Sequence, residues 1–254
     1  MSADRLLVEL DGGILRLTLN RPEKRNALDD ATVEALSREL ERADLDAEVR
    51  VVLVRGAGKD FCAGADLAEL LASADDSAEQ NEAHAMRLGE VFLAMRRLPK
   101  PVIAAVHGRA LAGGCGLASA CDLVLAHAKA TFGYPEVRRG FVPAMVMAML
   151  RRAVGEKAAV DLVLTGRLLG AAEAVVLGLA SRVVPADGFE EEVAALARQL
   201  ADSSPTALAL IKQQLYALDE RGFEEGTRLG ARVNAVARST PDFKDAVARF
   251  LERS

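Results

Sequence analysis

Ala112, Gly113 and Gly114 stand where a short apolar run gives way to a helical pattern. The run, Val102 to Val106 after Pro101, is too short for a helix and reads as a buried strand. A glycine turn between strand and helix lets a ligand approach the backbone and leaves N–H groups unpaired at the helix start. With the positive end of the helix dipole behind them, such donors suit an oxygen that gains negative charge. The same residues also fit a plain structural turn in an α/β chain. A second stretch repeats the arrangement. Val51 to Val54 leads through Gly56, Ala57 and Gly58 to Phe61-Cys62-Ala63-Gly64-Ala65-Asp66-Leu67, and then to another helical pattern. Two such turns can present two backbone donors to one oxygen. Ala63, Gly64 and Ala65 are small enough to leave room for a ligand.

These turns need elements to hold them. Leu6 to Leu10 and Ile14 to Leu19 flank Asp11-Gly12-Gly13, a hairpin signal. Asp29 or Asp30 caps a helix that runs to about Ala43, with Val33, Leu36 and Leu40 on one face. Asp66 to Ala72 is a short helix, and the polar segment Ser73 to Glu82 is the most disorder-prone part of the chain. Ala85 to Leu98 is helical, Asp122 to Ala126 is a further buried strand, and Ala144 to Ala153 is a methionine-rich helix. Strand and helix alternating in this way imply right-handed crossovers and helices packed on a sheet. From Ala171 the chain is nearly all helix: Ala171 to Leu177, Phe189 to Ala201, Thr206 to Asp219, Phe223 to Ala237 and Pro241 to Leu251. Leu208, Ile211, Leu215 and Leu218 form an apolar stripe there that needs cover.

Composition narrows the function. The chain has 254 residues, 51% of them hydrophobic and 4% aromatic, with a net charge of −5. No basic run stands out, so nucleic acid is not implied. The apolar runs are far shorter than the roughly 18 residues of a membrane span. The start, MSADRLLVEL, shows no apolar signal core, so a cytoplasmic protein is expected. Cys62, Cys115 and Cys121 match no zinc spacing and read as reduced, buried thiols. His84, His107 and His127 have no mutual spacing that suggests a metal or a relay, and His107 reads as packed or hydrogen-bonded. No G-x-S-x-G elbow and no dinucleotide fingerprint follows a strand.

Taken in order, the motifs resemble the crotonase family, the enoyl-CoA hydratase/isomerase proteins. They are Leu19-Asn20-Arg21-Pro22 with Asn26-Ala27-Leu28, Ala63-Gly64-Ala65-Asp66-Leu67, Ala110-Leu111-Ala112-Gly113-Gly114 and Cys121-Asp122. Phe132-Gly133-Tyr134-Pro135-Glu136, Leu164-Thr165-Gly166-Arg167, and Gly178-Leu179 before Val183-Val184-Pro185 follow. The resemblance runs nearly end to end. It implies an α/β fold: a spiral of ββα units over residues 1–200, and a helical region over 201–254 that makes trimer contacts.

The resemblance also implies an acyl-CoA thioester substrate, with CoA part of the substrate and no separate cofactor. Its carbonyl oxygen would be held by the backbone N–H groups of Ala65 and Gly113. An enolate mechanism needs a proton carrier. Family hydratases usually carry one glutamate two residues after the glycine pair and another in a Pro-Glu pair further on. Here the second is Glu136 after Pro135, but the first position holds Gly116. Glu136 is then the proton carrier, with water in the space that Gly116 leaves. Lys24, Arg25 and Arg253 are expected near the CoA nucleotide. Ala27, Ala63, Asp66, Leu67, Ala68, Gly116 and Pro135 are expected around the substrate, with Asp66 also capping its helix. Met145, Met147 and Met149 either line a flexible acyl pocket or fill the core. Gly140-Phe141-Val142-Pro143-Ala144 with Gly116 is similar to some branched-chain glutaconyl-CoA hydratases. Hydration of a 2-enoyl-CoA is the leading expectation, and 3-enoyl to 2-enoyl isomerisation through Glu136 alone is the alternative. A non-catalytic scaffold or RNA-binding protein on the same fold is the rival from another class. The assembly expected is a homotrimer or a hexamer, a dimer of trimers, with no nucleic-acid or membrane partner.

Overall fold

The computed structural model describes residues 4–252; Arg253 lies outside them. Gly12 and Gly13, both with positive φ, reverse the chain between β1 (Leu6–Asp11) and β2 (Ile14–Leu19), an antiparallel hairpin. The Asp29 side chain accepts from the Thr32 N–H at 2.9 Å and so starts α1 (Asp30–Leu45). β3 (Val51–Gly56) follows, and Asp66 caps α2 (Leu67–Ala72). α3 (Ala78–Arg97) opens on a capping box between Ser77 and Gln80. Those reciprocal bonds satisfy two otherwise orphaned N–H groups. The helix therefore starts at Ala78 rather than Ala85, and half of the segment expected to be disorder-prone is ordered helix.

β4 (Val102–Val106), β5 (Arg109–Leu111), α4 (Gly113–Ala120), β6 (Leu123–His127) and β7 (Thr131–Gly133) come next. The methionine-rich helix begins at Met147, later than expected. As α5 (Met147–Thr165) it also runs further, across a break at Gly155. β8 (Leu168–Gly170), α6 (Ala171–Leu177) and β9 (Arg182–Val184) follow, so the region from Ala171 is not purely helical. α7 (Phe189–Ala201), α8 (Pro205–Ala217), α9 (Phe223–Ser239) and α10 (Pro241–Leu251) complete the described chain.

Six strands form one sheet in the order β1-β2-β3-β4-β6-β9, parallel throughout after the first hairpin. A second sheet, β5-β7-β8, stands beside it. Both faces of the larger sheet are buried at its centre, which is why Val51–Val54 of β3 and all of β4 are apolar at inward and outward positions alike. Val52, Val54, Val102, Ala104 and Val106 join the main core with α1, α3 and α4. Val51, Leu53, Ile103 and Ala105 join a smaller core under α7, with Phe189, Val193 and Leu196. In α8 the buried residue is Lys212, at 6% exposure, while Ile211 and Leu215 are 55% and 61% exposed. The apolar stripe thus remains uncovered at those two positions within the chain.

Candidate active site

β3 and β4 are adjacent and parallel, with Val52, Leu53 and Val54 opposite Val102, Ile103 and Ala104. The chains leaving their C-terminal ends therefore emerge at the same edge, where α/β sheets bind ligands. Two isolated bridges, Leu28 with Ala65 and Cys62 with Ala110, knit the two turns together. The N–H groups around the first turn are nearly all used. Cys62 donates to Arg109 O at 3.0 Å, Ala63 to Arg25 O at 3.0 Å, and Asp66 to Leu28 O at 2.9 Å. Gly64 donates to the Cys62 sulfur at 3.5 Å. Among the described residues, the Ala65 N–H has no acceptor.

The second turn is built the same way. Leu111 donates to Cys62 O at 2.9 Å and Ala112 to Gly133 O at 2.8 Å, while the Gly113 N–H, the first of α4, has no acceptor among the described residues. Ala112 takes φ 53° and ψ −128°, a conformation that alanine adopts only under strain. The turns touch. Gly64 has φ 99°, and a Cβ added to it would lie 2.7 Å from the Ala112 Cβ and 3.2 Å from the Gly113 nitrogen. A Cβ on Gly113 would lie 3.7 Å from the Ala65 nitrogen. Two free donors thus stand side by side, one at a helix start.

Glu136 reaches the same edge through the small sheet. β5 and β7 are parallel, with Leu111 opposite Gly133. Gly113 follows one strand and Glu136 the other by a few residues, so both leave from adjacent strand ends. Pro135 opens the 3-10 turn Pro135–Arg139, and Gly140 closes it in the left-handed region. Glu136 is 8% exposed, and its Oε2 is buried without a hydrogen-bond partner. Burial raises its pKa above the usual glutamate value, against the pull of a backbone hydrogen bond and Arg139. A buried carboxyl with an unpartnered oxygen and a raised pKa has the character of a general acid–base group.

Position 116 is where an expectation fails. A Cβ on Gly116 would lie 2.2 Å from Val146 Cγ1 and 3.2 Å from Phe92 Cζ. Val146 and Phe92 are themselves 3% and 4% exposed. The open, water-holding space expected beside Gly116 is absent, because a valine thirty positions along the chain fills it. Leu88 approaches the Gly113 Cβ position at 3.4 Å, and the Met86 and Met145 sulfurs approach that of Gly89 at 3.2 and 3.5 Å. Met145 and Met149 are half-buried against the main core, whereas Met147 is 40% exposed.

Ala63, Ala65 and Asp66 lie together at the first turn, with Ala27 beside the Leu28 bridge and exposed Leu67 and Ala68 opening α2. Asp66 accepts from Ala68 N at 3.0 Å and from Arg21 Nη2 at 2.9 Å. The arginine hydrogen bond holds its carboxyl below the usual range. Lys24 and Arg25 are exposed at the end of the 3-10 turn Pro22–Lys24. Arg21, Leu88, Phe92 and Val146 were not singled out as site residues from the sequence. Arg21 sits inside a quoted motif, yet only its buried contacts give it a role.

The three cysteines are buried, and two of the histidines are engaged by neighbours. Burial pushes the Cys62 and Cys115 thiols up to about 12, and Cys121 is buried too. His107 Nε2 lies 3.0 Å from Gly58 O, and His127 packs edge-on against Phe189. Among the described residues no group of His, Cys, Asp and Glu is arranged to hold a metal ion. No described helix is long and apolar enough to cross a membrane.

Known proteins resemble this chain over nearly its whole length. The profile of the enoyl-CoA hydratase/isomerase family matches residues 9–254. A Thermus thermophilus protein with a provisional enoyl-CoA hydratase name is 46% identical over 242 residues, covering 95% of this chain and 96% of its own. The 2,3-dehydroadipyl-CoA hydratase of Escherichia coli is 36% identical, over 98% of this chain and 96% of its own. The crystal structure of enoyl-CoA hydratase from Mycobacterium smegmatis superposes with a TM-score of 0.94 at 36% identity, covering 99% and 97% of the two chains. The fold is that of the crotonases, and the chain belongs to the enoyl-CoA hydratase/isomerase family.

Proposed function

We propose that this protein adds water across the double bond of a 2-enoyl-CoA. The observation that carries this reading is the pair of free N–H groups, Ala65 and Gly113, near strand ends shared with the buried carboxylate of Glu136. The thioester oxygen sits between the two donors. Water adds its oxygen to C3, and the electron pair of the double bond moves onto the thioester as an enolate. Glu136 accepts the proton that the water loses, and a proton from Glu136 then goes to C2. No redox change occurs, and the donors act most strongly when the oxygen is charged. Lys24 and Arg25 face the nucleotide phosphates of CoA. Ala27, Ala63, Asp66, Leu67 and Ala68 bound the site on one side and Pro135 on the other, with Val146 and Phe92 packed over Gly116. The site is reached from the cytoplasm, and α8 to α10 mediate a homotrimer or a hexamer through exposed residues such as Ile211 and Leu215.

One observation favours a second reading. Val146 and Phe92 occupy the place of a second carboxylate, and an apolar wall there suits moving a double bond from C3 to C2 with Glu136 as the only carrier. Product analysis on a panel of 2-enoyl- and 3-enoyl-CoA thioesters separates the two. Hydroxyacyl-CoA as the main product supports hydration, and a shifted enoyl-CoA overturns it in favour of isomerisation. In either case Glu136→Gln should lower turnover about 10²–10⁴-fold while leaving the thioester-induced rise in melting temperature intact. Full activity in that variant would remove Glu136 from the mechanism. No thioester-induced rise in the wild type would favour a non-catalytic protein.

A further inference from the structure

Arg21 is 8% exposed, and its guanidinium spans two segments of chain. Nη1 donates to Ala27 O at 2.7 Å, and Nη2 donates to Asp66 Oδ2 at 2.9 Å. Nε lies 3.3 Å from Asp29 Oδ2, which also pairs with Arg5 at 2.8 Å. Ala27 and Asp66 are next to the two residues that form the Leu28–Ala65 bridge. Leu28 donates to Gly64 O at 2.8 Å and accepts from Asp66 N at 2.9 Å, so its backbone brackets Ala65 on both sides. One cation thus grips both strands of the bracket that aims the Ala65 N–H. The Arg21 main chain is itself fixed, because its N–H donates to the buried Asn26 side chain at 2.9 Å.

We propose that Arg21 is a positioning residue that fixes the Ala65 N–H on the thioester oxygen through Asp66 and Ala27. The proposal rests on the reading of Ala65 as an oxyanion donor. A planar guanidinium satisfies two acceptors in fixed directions, and an ammonium on a flexible stem does not. Arg21→Lys therefore keeps the buried charge but loses the geometry. A donor misplaced by a fraction of an ångström weakens the enolate more than the bound ground state.

The test uses the full chain and two readouts. The first is the infrared carbonyl stretch of saturated, unreactive butanoyl-CoA labelled with ¹³C at the thioester carbon. The second is kcat and KM for an enoyl-CoA. Arg21→Lys should fold, lower kcat about tenfold or more with KM within about twofold, and shrink the downshift of the bound carbonyl. Asp66→Asn, which keeps an oxygen acceptor, should move both readouts in the same direction by less, and it serves if Arg21→Lys does not fold. A normal carbonyl shift and normal kcat in the folded variants, with only the melting temperature lowered, would overturn the positioning role. If wild type itself shows no carbonyl downshift, the oxyanion reading of Ala65 fails and the proposal fails with it.

Discussion

Between Cys62 and Asp66 the backbone does the holding: four of five N–H groups end on fixed acceptors, and the fifth, Ala65, is left free. In α8 a side chain does it. The Lys212 ammonium reaches Met95 O at 2.8 Å, Lys100 O at 2.9 Å and Asp122 Oδ2 at 2.7 Å, and Tyr216 donates to Asp122 Oδ1 at 2.6 Å. The proposed role of the turn uses main-chain groups, so it hangs on backbone shape and N–H count, and Gly64 is held to glycine by its close approach to Ala112. The helical region is docked by charge, so its attachment hangs on particular side chains. Loss in the first region should appear in turnover and loss in the second in stability.

The sharpest way to break that contrast is Lys212→Met. It leaves the Asp122 carboxylate without its cation and should cost about 3 kcal/mol of stability in urea unfolding. Turnover per folded molecule should hold; if it falls instead, the two regions are coupled. Gly113→Pro does the reverse. Proline is welcome at the first position of a helix, but it removes the N–H. Turnover should drop about 10²–10³-fold with a near-normal melting curve. Ala112 precedes it in a strained conformation, so circular dichroism of the variant is the control.

Glu136 sharpens the comparison through pH. Its folded pKa lies above the ordinary value because burial disfavours the charged form. The stability linked to it is therefore full below the ordinary glutamate pKa and is lost as pH rises through the raised one. Glu136→Gln should be more stable than wild type at neutral pH, with the difference closing in acid. The acid limb of kcat/KM in wild type should lie above the ordinary glutamate pKa. Equal melting temperatures at neutral pH would argue against a strained, functional carboxylate. The smallest effect belongs to the exposed stripe: Ile211→Ser with Leu215→Ser should change monomer stability by about 0.5 kcal/mol or less. Light scattering should nonetheless show a smaller assembly, and an unchanged assembly would take α8 out of the interface.

Both turns were legible because glycine spacing encodes backbone geometry locally, and so were the cap at Asp66 and, to within one residue, the cap at Asp29. β5, β7 and β8 were not, since strands of three residues carry no period to detect. The start of α3 was written in Ser77 and Gln80, but the polar residues around them masked the capping box. Lys212 reads as a surface lysine until the carbonyls at the end of α3 are in place around it. The filling of position 116 is set by Val146, and nothing near Gly116 in the sequence announces it.

That last pair also governs the order in which substitutions can accumulate. A side chain added first at Gly116 would strike Val146 Cγ1, 2.2 Å from its Cβ, inside a packed wall. Overpacking of that kind costs about 1–3 kcal/mol. Shrinking Val146 first leaves a hole, at about 1–2 kcal/mol. Only the two changes together recover the loss, so the positions show reciprocal epistasis. A chain with glycine at 116 and valine at 146 must cross a stability valley to acquire a carboxylate at 116, whichever step comes first.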